Sequence, residues 1–159
     1  MRIWTGILVV ILLGACQARV KEEATVQLED VKLTDLSGKP IDFSQMKDKA
    51  ILINFWATWC RPCLQEMPLL ANAQRQMQDE PIVFLFASNE TPERILAFKE
   101  KQQFDFQYVQ VANLEALNVL ALPTTFIFDR DGNLKFSEAG YRQWDSSESL
   151  QLLANMIKP

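Results

Sequence analysis

The chain has 159 residues, no histidine, three cysteines and a formal charge of −4. That length suits one domain whose core needs no disulfide staples. The missing histidine excludes Ser-His-Asp and Cys-His nucleophile pairs and HExxH zinc sites, and an acidic balance without a Lys/Arg cluster argues against nucleic acid as a partner.

Met1-Arg2 gives a short positive start, and Ile3 to Leu13 is almost wholly apolar. A bilayer span needs ~20 apolar residues, so this run has the proportions of a signal peptide instead. It ends in Leu13-Gly14-Ala15-Cys16, which resembles a bacterial lipobox. The resemblance implies cleavage before Cys16, a lipid on its sulfur and a mature protein held to a membrane. An ordinary signal peptide with an incidental cysteine is the alternative. The expected organisation is a lipoprotein signal peptide over 1–15, a lipidated tether over 16–27 and a folded domain over 28–159. Gln17 rather than Asp after the cysteine points to the outer membrane if the host is Gram-negative.

Val26 to Leu33 alternates loosely and reads as a strand. Asp35 to Pro40 is a turn, with Gly38 able to take a positive φ, and Ile41 to Phe43 is a candidate return strand. Ala50 to Trp56 is a nearly continuous apolar run, as in a strand buried on both faces. Leu64, Met67, Leu70, Ala71 and Met77 recur at helical spacing, with Pro68 inside. Ile82 to Ala87 is a second buried strand. Thr91-Pro92 opens a helix carrying Ile95, Leu96 and Phe98. Phe106 to Val111 is a third strand, and Leu114 to Leu120 a short helical stretch. Thr124 to Phe128 and Leu134 to Ser137 form a hairpin across Asp129–Asn133; that loop lacks the glycine position a calcium loop wants. Asp145-Ser-Ser-Glu148 reads as a capping box for a last helix with Leu150, Leu152, Leu153, Met156 and Ile157. This succession predicts an α/β fold with a central mixed β-sheet flanked by helices, and an N-terminal strand or hairpin extension.

The chemistry is expected at Trp59-Cys60-Arg61-Pro62-Cys63. A buried strand ends just before it and a helix begins at or near Cys60. Unpaired N–H groups and the positive helix end there stabilise a thiolate. Pro62 fits the first turn, where its missing N–H costs little. Cys63, one turn on, is placed to attack a mixed disulfide formed by Cys60. Two other readings remain: half of a zinc site, which would have to recruit carboxylates, and a small structural disulfide. Arg61 lies between the sulfurs and should favour the Cys60 thiolate and raise the reduction potential.

The stretch Phe55-Trp56-Ala57-Thr58-Trp59-Cys60-Arg61-Pro62-Cys63, with Pro68 beyond it and Leu122-Pro123-Thr124-Thr125-Phe126 later, resembles the thioredoxin superfamily. Glu66 in Cys63-Leu-Gln-Glu-Met-Pro68 narrows the likeness to the TlpA/ResA-type branch of exported, membrane-tethered thiol–disulfide oxidoreductases. The likeness runs from about Leu28 to Ile157 and marks 28–159 as a thioredoxin-like domain. It implies that Cys60 is the nucleophile and Cys63 the resolving thiol of a redox-active disulfide. It implies a cis bond at Pro123, with Leu122, Pro123 and Thr124 receiving an extended substrate segment and Trp59 giving an apolar docking surface. That branch carries a Glu at the position of Glu66, and the expectation is that Glu66 manages the proton of Cys63 or tunes both thiol pKa values, a solvated helix glutamate being the alternative. One position departs from thioredoxin itself: Asn54 stands where a buried, titratable Asp is expected, and it needs hydrogen-bond partners.

The resulting expectation is a monomeric protein disulfide reductase of the cell envelope, fed by a membrane thiol reductase. Its partners are protein disulfides and dithiols, with no nucleic acid, no cofactor and no resident metal. A thiol oxidase or isomerase on the same fold, a Cu(I)-holding module and a thioredoxin-like peroxidase are the alternatives. A measured potential separates the first, and metal analysis the second. The peroxidase reading is weakened by Ala57, which stands where that chemistry places a threonine.

Overall fold

A computed structural model describes residues 26–158, so Cys16 and the expected signal run lie outside the described residues. In chain order the elements are β1 (Leu33–Thr34), β2 (Ala50–Phe55), α1 (Arg61–Gln76), β3 (Ile82–Ser88), α2 (Pro92–Lys99), β4 (Gln107–Val111), β5 (Thr124–Phe128), β6 (Leu134–Ala139) and α3 (Ser147–Met156). The strands form one six-stranded sheet in the order β1-β4-β3-β2-β5-β6. β2, β3 and β4 run parallel; β5, β6 and β1 join antiparallel. This is the mixed sheet that the alternation of elements predicts. Every residue of β2 is buried, because its apolar run lies inside the sheet with packing on both faces.

The period-two alternation of the strands sorts the core into two faces. On one, Leu52, Trp56, Phe86 and Ile127 meet Met67 and Leu70 of α1, Ile95 of α2 and Leu153 of α3. On the other, Leu33, Ile53, Phe55, Leu85 and Phe128 are covered by Val31, Leu117 and Val119, with Leu28, Phe43 and Met46 alongside. The helices thus place their buried residues on one face, while the N-terminal segment and the turn at 114–119 close the other.

Four local expectations are corrected. The strand over Val26–Leu33 shrinks to β1, because Leu28–Asp30 coils into a 3-10 turn whose Leu28 N–H donates to the Gly132 carbonyl at 3.1 Å. Gln27 beside it forms an isolated antiparallel bridge with Asn133. The return strand at Ile41–Phe43 is reduced to a bridge between Thr34 and Pro40, and Phe43–Met46 is a 3-10 turn. Pro40 has no N–H with which to extend a ladder. The helix at Leu114–Leu120 is an isolated turn that ends where Asn118 takes φ 56°. The cap of α3 is Ser146, whose hydroxyl accepts from the Ser149 N–H; Asp145 instead accepts from Asn72 of α1 at 2.9 Å.

Candidate functional site

The C-terminal end of β2 runs into a short loop and then α1. Cys60 is the N-cap of α1, and its Sγ accepts from the Cys63 N–H at 3.3 Å. A sulfur here occupies the place where a capping oxygen satisfies an unpaired helical donor. Pro62 sits in the first turn, and no acidic residue lies there to oppose a thiolate. Cys60 and Cys63 are joined as a disulfide with Cα atoms 5.3 Å apart, and both are buried. Trp59 beside them is 68% exposed, and Arg61 and Pro62 are exposed as well.

Sheet pairing brings the second motif to the same end. Phe55 at the end of β2 pairs with Thr124 at the start of β5. The Leu122–Pro123 bond is cis, and the Pro123 carbonyl accepts from the Gly140 N–H at 2.7 Å. Leu122 packs against both core clusters, one of which contains Cys60 and Cys63. Thr124 is buried, and its hydroxyl donates to the Ala121 carbonyl at 2.7 Å. Asn54, also buried, donates to the Thr125 hydroxyl at 3.0 Å. That bond supplies the partner an untitratable amide requires on the strand face beneath α1.

Glu66 is fully buried, one helical turn after Cys63 on the inward face of α1. The Trp144 indole N–H donates to its Oε1, while Oε2 has no partner among the described residues. Burial pushes its pKa up to about 7, nearby Glu138 adds to the rise, and the indole bond works against it. The buried face of α1 that carries Cys63 therefore also carries, one turn on, a carboxyl that burial holds well above the usual carboxylate range.

Two contributors escape sequence reasoning. Trp144 lies 78 positions from Glu66, with no spacing signal to connect them. Glu90, after β3, takes the Thr58 N–H and hydroxyl on its carboxylate at 2.6 and 2.7 Å, which pins the loop that carries Trp59 and Cys60. The Ser88 hydroxyl and Arg94 complete its shell at 3.3 and 3.2 Å. Among the described residues, no group of three or more His, Cys, Asp or Glu is placed to hold a metal ion.

A model of the AhpC/TSA family matches residues 24–137. The chain is 34% identical over 149 residues to the thioredoxin-like protein YneN of Bacillus subtilis, covering 85% of this chain and 88% of that one. It is 31% identical over 132 residues to the thiol-disulfide oxidoreductase ResA of the same organism, covering 80% and 72% respectively. A solved structure assigned as a thiol-disulfide oxidoreductase of Bacteroides vulgatus superposes with a TM-score of 0.68 at 26% identity, covering 79% of this chain and 90% of that one.

Proposed function

This chain belongs to the AhpC/TSA family, and from that premise we propose that it is a thiol–disulfide oxidoreductase that reduces protein disulfides in the cell envelope. The observation that carries the reading is the joined Cys60–Cys63 pair at the start of α1, at the same sheet end as the cis Leu122–Pro123 bond.

In the reduced protein the Cys60 thiolate attacks one sulfur of a substrate disulfide. The Cys60–substrate bond forms, the substrate S–S bond breaks, and the departing sulfur takes a proton. Cys63, deprotonated in turn, attacks Cys60. The Cys60–Cys63 disulfide forms and the second substrate thiol leaves. Two electrons pass to the substrate, and a second pair must come from a donor before the next cycle. Glu66 receives the Cys63 proton and gives it up to the leaving thiol; burial, which pushes its pKa up to about 7 in the disulfide form, lets it hold a proton near neutral pH. A negative Glu66 beside Cys63 also disfavours the reduced thiolate state, which lowers the potential and supports the reducing direction. Arg61 acts in the opposite sense on Cys60, weakly because it is exposed. Trp59, Leu122, Pro123 and Thr124 frame the substrate segment.

The same proposal includes residues 1–15 as a signal, Cys16 as the lipid site, a tether reaching the domain, and a membrane thiol reductase as donor, the protein acting as a monomer. The test is Cys63→Ser in the full-length chain. Cys60 should then stay locked to its partners as mixed disulfides that reductant releases, and Cys60→Ser should trap none. A Cys60 that captures no protein disulfide overturns the reading.

A further inference from the structure

We infer that Trp144 is a positioning residue for the redox site: its indole N–H engages Glu66 Oε1 and so assigns the exchangeable proton to Oε2. The inference rests on the reading that Glu66 serves Cys63. An indole N–H only donates and does not titrate, so the oxygen it engages must act as an acceptor. A carbonyl oxygen accepts more strongly than an acid hydroxyl, so the bond at Oε1 favours a protonated Glu66 that carries its hydrogen on Oε2, the buried oxygen that has no partner among the described residues.

The indole is itself fixed. Trp144 is 1% exposed and packs edge-on against Phe136 of β6, with ring centroids 6.1 Å apart. The Arg142 guanidinium lies 5.6 Å from the Trp144 ring centroid and 5.5 Å from that of Phe136. Arg142 is held in turn by Glu138, Glu148 and the Ser149 hydroxyl. The segment between β6 and α3 thus reaches across to α1 and fixes the carboxyl that lies one helical turn after Cys63. The charged group that acts on this carboxyl is Glu138 on β6; Arg142 lies against the indole ring, where it pairs with Glu138 and with the exposed Glu148 of α3.

The experiment compares the pH profile of thiol alkylation in reduced wild type, E66Q, W144F and the double variant. Phenylalanine keeps an aromatic ring but removes the N–H donor. Without that donor the Glu66 carboxylate loses stabilisation and stays neutral to higher pH. The W144F profile should therefore move toward that of E66Q by about half a pH unit or more. The double variant should coincide with E66Q. A W144F profile equal to wild type, or a shift that persists undiminished in the E66Q background, overturns the inference. If E66Q itself leaves the profile unchanged, the role of Glu66 fails and the inference falls with it. Should W144F not fold, benzothienylalanine at position 144 keeps the bicyclic shape without the N–H, and the same outcomes apply.

Discussion

The backbone N–H and the hydroxyl of Thr58 both end on the carboxylate of Glu90, at 2.6 and 2.7 Å. Glu90 thereby holds the loop just before Trp59 and Cys60 from a different strand end. Its side chain is 7% exposed, so removing it leaves donors that water reaches poorly. Glu90→Ala should cost about 2 kcal/mol in urea unfolding of the oxidised protein, with the m-value unchanged. Glu90→Gln, which keeps one acceptor oxygen, should cost less. Equal stabilities for all three proteins would show that the loop is held by packing alone.

Trp59 and Trp56 stand three positions apart and should answer differently. Trp59 is 68% exposed, whereas Trp56 is fully buried against Phe98 and Tyr108. Trp59→Ala should change stability by no more than about 0.5 kcal/mol. It should slow reaction with a protein disulfide while sparing reaction with a small disulfide. Trp56→Ala should cost about 3–5 kcal/mol through the cavity it leaves. Stopped-flow reduction of the two disulfide types, alongside denaturation curves, separates the cases. An equal loss toward both disulfides in Trp59→Ala would remove the docking role.

What could be read in the sequence was what neighbours in the chain decide. β2 announces itself because all six positions are buried and five are apolar. The cysteine pair announces itself because three-residue spacing on a helix start is a local geometry. The losses came where a distant group intervened. β1 is short because the residues before it bond to Gly132 rather than continue a ladder. Asp145 lost the helix cap because Asn72 of α1 claims its carboxylate. Trp144 and Glu90 belong to the site only through tertiary contacts, which no motif spacing encodes.

The turn at 114–119 shows the same limit in its backbone. Leu117 and Val119 both bury in the second core face, and two positions two apart cannot share one helix face. Asn118 resolves this by taking φ 56°, and the Val119 N–H closes on the Leu114 carbonyl at 3.0 Å. Asn118 is exposed, so substitutions there report on the backbone. Asn118→Gly should be neutral or slightly stabilising, and Asn118→Val should cost about 1–2 kcal/mol. Equal thermal midpoints for the two variants would place the strain elsewhere.

Glu66 should leave a pH signature on stability. Its carboxyl titrates at about 7 in the folded, oxidised protein against 4.5 when free. Between those values the native state keeps a proton that the unfolded chain has lost. Stability therefore falls as pH rises through this window. The contribution is fully present below the unfolded pKa and lost as pH passes the folded one. A shift of this size corresponds to about 3 kcal/mol at most. Asp35, Asp42 and Asp129 are held below their usual range, so their linkage has the opposite sign and is spent in more acidic solution. Urea unfolding of the oxidised protein from about pH 5.5 to about pH 8 should thus show a declining midpoint. Glu66→Gln retains an oxygen for the Trp144 N–H but cannot ionise, so its midpoint should decline less. If wild type and Glu66→Gln keep a constant difference across that range, the buried carboxyl is not changing its charge there, and the proton exchange assigned to it with Cys63 cannot operate near neutrality.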